Sequence, residues 1–308
     1  MITTVTFNTA VDKAYLVDEI NTGQVVRVKS CTNTPGGKGL NVAKVVKLCG
    51  EEVTATGFLG GHSGAYIEEM LDEQQVCHRF IHIEGETRSC INILEPGGRS
   101  TEFLEPGIPV SQEDCQRFLE EFDQIVLESD VITISGSLPK GMQDGIYGEL
   151  IRRSKAAGKR VILDTSGVPL EQGLMAGPAM IKPNADELKD LLGIPALKLE
   201  DVIAGTQSLR DRGPEVVVVS LGSKGAVMAT ENGTYFGKPP LISAVNTVGC
   251  GDSMTAALAV GLCRGYAIQE ILRYSVAISA ANALSLRTGY FRQEDLNDIL
   301  PRVIVDMV

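Results

Sequence analysis

The sequence predicts an α/β fold in which a mostly parallel sheet is flanked by helices on both faces. Apolar runs at residues 131–134, 161–163 and 216–219 alternate along the chain with helical patterns. Near-continuous Val and Ile runs of this kind are typical of strands that are buried on both faces. The chain has 308 residues, of which 44% are hydrophobic, and this is enough for one large core. We therefore expect a single α/β domain over residues 1–308.

The N-terminal elements follow the same alternation. Thr3, Val5 and Phe7 alternate as in a strand, and residues 38–49 have the period of a helix that ends at Gly50. Its apolar face would comprise Val42, Ala43, Val45, Val46 and Cys49, with Lys44 and Lys47 opposite. A strand near Val53 and a helix from Ser63 to Gln75 come next.

Two stretches interrupt this rhythm, namely residues 14–29 and 79–105. The first is divided by Asn21-Thr22-Gly23, the second by Glu84-Gly85 and by residues 96–98, and both are typical of hairpins. Strands inserted between α/β units do not easily join a parallel sheet. We expect a small β-sheet lid formed by about residues 12–34 and 86–106, which could pair with a second copy to give a homodimer.

Composition excludes several classes of function. Lys and Arg total 28 against 39 Asp and Glu, a net charge of -11, so a nucleic-acid partner is not expected. The longest apolar run, residues 256–263, is too short for a membrane span. The seven cysteines form no C-x-x-C pair, which favours a reducing, cytoplasmic location. They are Cys31, Cys49, Cys77, Cys90, Cys115, Cys250 and Cys263.

Ligands of parallel sheets bind outside the carboxyl ends of the strands, and two glycine-rich turns are candidates there. Residues 35–41 contain Gly36, Gly37, Lys38 and Asn41 and run into a helix. Bare backbone can approach a ligand at such a turn. A tight turn with an incidental lysine explains this segment equally well.

The second glycine-rich turn contains Gly249, Cys250, Gly251 and Asp252 and precedes an apolar helix over residues 254–263. Free N–H groups and the helix dipole would stabilise an anion there, and Asp252 could act as a base. For an isolated turn of this kind, helix capping by Asp252 is an equal alternative.

Two further segments fit a nucleotide. Asn184 and Glu187, after Lys182, lie three residues apart on one helix face and suit a hydrated Mg²⁺, although a capping box is the alternative. Residues 220–226 form a glycine-bearing turn that is also explained as a hairpin. The turn contains Ser220, Gly222, Ser223, Lys224 and Gly225.

Other catalytic motifs are missing from the sequence. There is no G-x-x-x-x-G-K-[ST] of P-loop enzymes, no H-R-D and D-F-G set of protein kinases and no G-x-S-x-G of hydrolases. His78 and His82 are four residues apart, but residues 80–83 have the pattern of a strand. A metal pair is not expected at these histidines.

The motifs together resemble the PfkB, or ribokinase-like, family of sugar kinases over essentially the whole chain. The family carries G-G-K-G-x-N, matched by residues 36–41, and G-x-G-D, matched by residues 249–252. Residues 135–139 (S-G-S-L-P), 182–184 with Glu187, and 220–222 with Gly225 stand between them in the family's order. The opening residues 6–12 and Thr87-Arg88 are most similar to the 1-phosphofructokinase and tagatose-6-phosphate kinase branch.

The resemblance implies an ATP-dependent kinase of a ketohexose monophosphate, with Asp252 as catalytic base and residues 249–251 as anion-binding N–H groups. It implies that Asp12 and Asn41 bind sugar hydroxyls, that Lys38 and Arg88 bind the substrate phosphate, and that Gly36, Gly37 and Ser137 line the same site. ATP would lie along Lys182, Asn184 and residues 220–225, with Mg²⁺ near Asn184 and Glu187. Whether a monovalent cation takes part is left open.

Three departures from the pattern and two alternatives accompany this assignment. Thr9 replaces a proline, Cys250 replaces an alanine and could make the loop sensitive to oxidation, and residues 89–92 depart from the branch's wording. A kinase of an unphosphorylated sugar or nucleoside with the same fold is one alternative. A sugar-phosphate sensor without turnover is the other.

Overall fold

The computed structural model describes residues 1–97, 99–194 and 198–308. Gly98, the last residue of the turn predicted at 96–98, lies outside the described residues. The strands are β1 (Ile2–Thr6), β2 (Ala10–Leu16), β3 (Ser30–Gly36), β4 (Val53–Leu59), β5 (Cys77–His82), β6 (Ser89–Leu94), β7 (Ser100–Leu104), β8 (Val131–Ser135), β9 (Arg160–Asp164), β10 (Met180–Ile181), β11 (Val216–Ser220), β12 (Ala226–Thr230), β13 (Gly233–Lys238) and β14 (Ile304–Met307).

The helices alternate with the strands as the sequence predicts. They are α1 (Lys38–Leu48), α2 (Gly61–Glu73), α3 (Gln112–Glu128), α4 (Ile146–Ala156), α5 (Gly167–Leu174), α6 (Ala185–Leu192), α7 (Leu199–Arg210), α8 (Cys250–Cys263), α9 (Ile268–Ala283) and α10 (Gln293–Ile299). One hydrophobic core lies under α1, α8 and α9 and a second lies under α3, α4 and α7. The predicted α/β class, with helices on both faces of the sheet, is confirmed.

The large sheet has ten strands in the order β14-β13-β12-β11-β10-β9-β8-β1-β4-β5. The pairs from β11 through β5 are parallel, whereas β12, β13 and β14 are antiparallel. The chain leaves β1 toward β4 and later returns to β8 on the other side of β1. This reversal opens a crevice at the carboxyl ends of β1 and β8, where ligands of such sheets bind.

A separate four-stranded sheet has the order β3-β2-β6-β7. The β2–β3 and β6–β7 pairs are antiparallel and the central β2–β6 pair is parallel. Its strands come from the two stretches that interrupt the α/β rhythm. The sheet therefore stands apart from the large sheet, and we call it the lid sheet.

Two details of the sequence-based assignment are wrong. Residues 79–82 belong to β5, which pairs in parallel with β4 at the edge of the large sheet rather than in a hairpin. An edge strand is half-buried, so its polarity pattern does not distinguish it from a hairpin strand. Helix α2 begins at Gly61, before the predicted Ser63, because the Glu86 carboxylate accepts hydrogen bonds from the N–H groups of His62 and Ser63.

The assignment of Lys44 to the outer face of α1 is also wrong. Its residue is only 8% exposed, and it lies in the interior near the cavity described below. Within the ranges described above, no helix combines the length and the apolar character needed to cross a membrane.

Candidate active site

A cavity of about 1010 Å³ lies between the lid sheet and the carboxyl ends of the central strands of the large sheet. Its lining includes Thr6 at the end of β1, Ser135 at the end of β8, Asp164 at the end of β9 and Ser220 at the end of β11. Lid residues such as Ala14 and Asn92 close the opposite side. The four motif segments found in the sequence thus converge on one space.

Most of the predicted site residues line this cavity. On the predicted sugar side these are Asp12, Gly37, Lys38, Asn41, Arg88 and Ser137, and elsewhere they are Lys182, Asn184, Glu187, Ser220, Gly222, Gly249, Gly251 and Asp252. Five others are in neighbouring positions but outside the lining: Gly36, Cys250, Ser223, Lys224 and Gly225. The spatial convergence was predictable because the carboxyl ends of parallel strands share one edge of a sheet.

Asp252 lies buried in the first turn of α8. The side-chain amide of Asn41 donates a 2.8 Å hydrogen bond to its Oδ2. Burial raises the pKa of Asp252 above its usual value, while the positive charge of Lys38 and the Asn41 hydrogen bond act in the opposite direction. A carboxylate with a raised pKa that faces a cavity is suited to accept a proton.

Asp164 is a second buried carboxylate of the cavity and is not among the site residues predicted from the sequence. Lys38 Nζ lies 3.4 Å from its Oδ1, Lys182 Nζ lies 3.3 Å from its Oδ2, and the Thr255 hydroxyl donates to Oδ2 at 2.8 Å. Burial alone would raise the pKa of Asp164, but the two lysines and Thr255 hold it below its usual range. Asp164 therefore fixes the positions of two cavity lysines.

The Asp164 carboxylate also affects Lys38 itself. It raises the pKa of Lys38 well above the usual value, against the opposing effect of burial, and Asp252 acts in the same direction. Lys38 is therefore a permanent positive charge between two carboxylates. Such a charge can bind a phosphate that enters the cavity.

Asp12 on β2 faces the glycine-rich turn between β3 and α1. A Cβ atom on Gly36 would lie 2.1 Å from the Asp12 carboxylate, so only glycine fits beside it. Burial raises the pKa of Asp12 to about 6, partly offset by the positive charge of Lys44. The glycine at position 36 is thus required by contact with the Asp12 carboxylate and not only by a tight turn.

Arg88 joins the lid sheet to the end of β1. Its guanidinium group donates 3.0 Å hydrogen bonds to the backbone carbonyls of Glu105 and Asn8. Its Nε is buried without a partner among the described residues. Arg88 therefore uses both terminal nitrogens of its guanidinium group on backbone carbonyls, and its side chain also lines the cavity.

Three more buried polar atoms of the cavity lining have no partner within the described residues. They are Thr6 Oγ1, Ser135 Oγ and Asn41 Oδ1. Buried polar groups in proteins are normally hydrogen-bonded, but these three atoms have almost no surface open to the cavity, so no ligand contact is assigned to them.

The turn at the start of α8, residues 247–252, is called the anion-binding turn below. Gly249 is the N-cap of α8 and has a φ of 79°, and a Cβ there would lie 2.6 Å from the Thr288 methyl group. The helix begins at Cys250 rather than at residue 254, so the N–H groups of its first turn have no acceptor within the helix. The Cys250 N–H itself donates to the Thr247 carbonyl at 3.3 Å.

The Cys250 thiol is half-buried and close to Asn282, whose side-chain amide lies 3.4 Å from the sulfur. Burial raises the pKa of the thiol. Since the thiolate is the reactive form, this environment does not favour oxidation, in contrast to the expectation from sequence.

Asn184 and Glu187 form the capping box that the sequence offered as the alternative to a metal site. Asn184 Oδ1 accepts the N–H groups of Asp186 and Glu187, and Glu187 Oε2 accepts the Asn184 N–H at 2.8 Å. Both residues also line the cavity, and Glu187 Oε1 takes no part in the box. The two roles are therefore compatible, provided that contact with a metal runs through water.

The segment 220–225 is both a hairpin turn and a neighbour of Asn184. Strands β11 and β12 pair in an antiparallel manner around it, and Ser220 forms a parallel bridge with Asn184. The Ser220 N–H donates to the Pro183 carbonyl at 3.1 Å. The two segments predicted to bind ATP thus form one continuous wall.

Comparison with known proteins agrees with this geometry. The family model described as pfkB family carbohydrate kinase matches residues 3–294. A tagatose-6-phosphate kinase from Staphylococcus epidermidis is 38% identical over 308 residues, covering 99% of both chains. Phosphofructokinase-2 from Escherichia coli, solved in complex with fructose-6-phosphate, superposes with a TM-score of 0.89 at 28% identity, with 98% of each chain covered.

A third relative is described as a possible 1-phosphofructokinase, from Thermotoga maritima. It superposes with a TM-score of 0.90 at 26% identity and covers 100% of this chain and 99% of its own. These matches extend over the lid sheet as well as the large sheet.

Proposed function

The chain belongs to the pfkB family of carbohydrate kinases, and we propose that it transfers the γ-phosphoryl group of ATP to a primary hydroxyl of a ketohexose monophosphate. Tagatose 6-phosphate and fructose 1-phosphate are the proposed substrates, and a 1,6-bisphosphate is the product. The observation that carries this proposal is the buried Asp252 carboxylate, bonded to Asn41 at the mouth of α8. The names of the relatives described above support the substrate class.

In the proposed reaction, the hydroxyl oxygen of the sugar forms a bond to the γ-phosphorus, and Asp252 accepts the proton of that hydroxyl group. The bond between that phosphorus and the bridging oxygen breaks, and ADP leaves. The N–H groups at the start of α8 would stabilise the charge on the transferred group, and the helix dipole would add to this effect. Positioning and electrostatics provide most of the acceleration in phosphoryl transfer.

We place the sugar phosphate under the lid sheet. The hydroxyl groups of the sugar would form hydrogen bonds with Asp12 and Asn41. Lys38 and Arg88 would bind the phosphate that the sugar already carries. The position of all four side chains in the cavity lining supports these roles. Gly37 and Ser137 complete this side of the cavity.

We place ATP along the wall formed by Lys182, Asn184 and residues 220–225, with Gly222 in the cavity lining and Ser223, Lys224 and Gly225 shaping the turn behind it. A hydrated Mg²⁺ would be held through water near Asn184 and Glu187, where a carboxylate oxygen is available. When bound, it neutralises charge on the nucleotide phosphates.

The proposal is tested by measuring ADP release with a panel of sugars and sugar phosphates. The panel contains tagatose 6-phosphate, fructose 1-phosphate, fructose 6-phosphate, the unphosphorylated ketohexoses and a nucleoside. We expect turnover with at least one ketohexose phosphate and little with unphosphorylated sugars, because Lys38 and Arg88 provide cations for a phosphate. Turnover that does not depend on the substrate phosphate would favour the unphosphorylated-sugar or nucleoside alternative.

Replacement of the proposed base gives the first prediction. Asp252→Asn should reduce kcat by about 10²- to 10⁴-fold, since a positioned general base contributes that much, with little change in sugar-phosphate binding measured by calorimetry. Asp190→Asn, at an exposed position on α6, is the matched control and should keep normal kcat. Near-normal turnover of Asp252→Asn would contradict its role, and binding without turnover in the wild type would favour the sensor alternative.

Two further features belong to the proposal. We propose that the lid sheet pairs two copies of the chain, since Leu16 and Leu104 on its cavity side are exposed by 43% and 65%.

A structure of Escherichia coli phosphofructokinase-2 contains potassium. Comparing turnover in potassium chloride and in tetramethylammonium chloride at equal ionic strength tests whether this chain uses a monovalent cation.

A further inference from the structure

Lys44 is a buried cation that the proposed reaction does not use. It lies on α1, three residues after Asn41, and only 8% of its surface is exposed. Its Nζ donates hydrogen bonds to the backbone carbonyls of Pro35, at 3.0 Å, and Thr288, at 3.3 Å. Burial of an ammonium group is strongly unfavourable unless it is compensated. The two carbonyl groups provide part of that compensation.

The two carbonyl groups belong to two segments that are far apart in the sequence and meet beside the cavity. Pro35 lies in β3 directly before Gly36, which packs on the Asp12 carboxylate. Thr288 packs on Gly249, which is the N-cap of α8 and part of the anion-binding turn. One ammonium group therefore connects the turn beside Asp12 with Thr288, the residue that packs against the anion-binding turn.

The charges around Lys44 follow the same arrangement. Burial lowers the pKa of Lys44 to about 8; Asp12 on β2 and Asp252 on α8 oppose this, while Arg287, in the loop after α9, adds to it. The pKa of Asp12 is raised by burial and by the negative charges of Asp252 and Glu102. The positive charges of Lys44 and Arg88 lower it. Lys44 is thus the largest favourable influence on the ionised form of Asp12.

We propose that Lys44 is a positioning residue of the kinase site, which holds the sugar-side turn and the anion-binding turn in register and supplies the positive charge behind Asp12. The inference rests on the proposed function, because its effect is measured on kinase turnover. A small displacement of reacting groups can lower a rate by about 10²-fold. The charge effect is separate, since it acts on the proton affinity of Asp12.

The test compares Lys44→Met with Lys47→Met. Methionine retains an unbranched apolar chain and removes the charge, and Lys47 lies on the same helix outside the cavity lining. For Lys44→Met we expect cooperative thermal unfolding and a kcat about 10- to 100-fold lower. The acid limb of kcat/KM for the sugar phosphate should move to higher pH, because Asp12 loses the cation that favours its ionised form. Lys47→Met should remain within about twofold of wild type.

The outcomes separate this inference from the proposed function. An inactive wild type would contradict the proposed function. An active wild type, with equal kinetics for Lys44→Met and Lys47→Met, would overturn the role of Lys44 alone. A lower kcat with an unmoved acid limb would also overturn it, since loss of structure lowers activity without changing the charge at Asp12.

Lys44→Arg keeps the test decisive if Lys44→Met does not fold. This variant keeps the positive charge, and Asp252, Arg88 and Glu102 still face Asp12. It should therefore retain the acid limb of the wild type even if its kcat is lower. An acid limb displaced to higher pH in Lys44→Arg would overturn the proposal.

Discussion

The Asp12 carboxylate is held in an environment that opposes its charge. Its pKa is raised from 3.8 to about 6, mainly by burial, and one pKa unit corresponds to about 1.4 kcal/mol. The folded state therefore binds the Asp12 proton more tightly than the unfolded state does. Above pH 6 the ionised group lowers stability, and this effect disappears as Asp12 becomes protonated between pH 6 and pH 4.

Asp12→Asn should accordingly raise the Tm at pH 7.5 while it weakens sugar-phosphate binding. The gain in stability should be about 1–3 kcal/mol at that pH and should vanish near pH 4, where both proteins carry a neutral group. Thermal melting of the variant, of wild type and of the exposed Asp190→Asn control across this pH range measures it. A lower Tm at pH 7.5, or a difference that persists unchanged to pH 4, would contradict the assigned environment.

Site residues that lie within motifs could be predicted from the sequence, whereas single site residues outside motifs could not. Asp252, Lys38 and Asn41 were identified because glycines and a helix start surround them. Asp164 stands alone after an apolar strand, and its position at the carboxyl end of β9 was the one available signal. The burial of Lys44 could not be predicted, because helical periodicity assigns a lysine to the outer face unless buried acceptors are known.

Among the elements, α8 depends on α9 for the shape of its N-terminus. Asn282 on α9 is wholly buried, and its Oδ1 accepts hydrogen bonds from the Ser253 hydroxyl at 3.0 Å and the Tyr290 N–H at 3.2 Å. Its Nδ2 donates to the Val248 carbonyl at 3.2 Å. These bonds occupy its side chain, so we assign it to holding the anion-binding turn rather than to binding adenine.

Asn282→Ala tests that assignment. The buried groups that lose a partner should lower the free energy of unfolding by about 1–3 kcal/mol. The value of kcat/KM should fall equally for ATP and GTP, because we propose that the turn contacts phosphate and not the base. Steady-state kinetics with both nucleotides and thermal melting measure this, with the exposed Asn297→Ala as control. A changed ratio of ATP to GTP preference would instead indicate that Asn282 contacts the base.

The elements that the sequence predicted well are those with strong periodicity and two buried faces. Strands β8, β9 and β11 and helix α1 lie within a residue or two of the expected ranges. Strand β5 was misassigned because edge strands have mixed polarity. The start of α2 was misplaced because its cap is supplied by Glu86, more than twenty residues away, and local sequence cannot show such a contact.

The lid sheet exposes large apolar side chains, including Leu16, Phe103 and Leu104. Its central strands β2 and β6 pair Leu16 with Leu94, so both side chains lie on the cavity face. Phe103 on β7 pairs with Ile91 and lies on the opposite face, by the alternation of side chains in a strand. Both faces therefore expose apolar residues, and we propose that a second copy covers those on the cavity face.

The proposed dimer can therefore be separated from general surface hydrophobicity with two matched variants. Leu16→Glu places a charge on the cavity face, where pairing of two lid sheets would bury it, and should shift the protein from dimer to monomer. Phe103→Glu places the same charge on the other face, at a residue that is 56% exposed, and should leave the dimer intact. Sedimentation velocity over a range of micromolar concentrations distinguishes these states. A wild type that is monomeric throughout, or a dimer that only Phe103→Glu dissociates, would place the contact elsewhere.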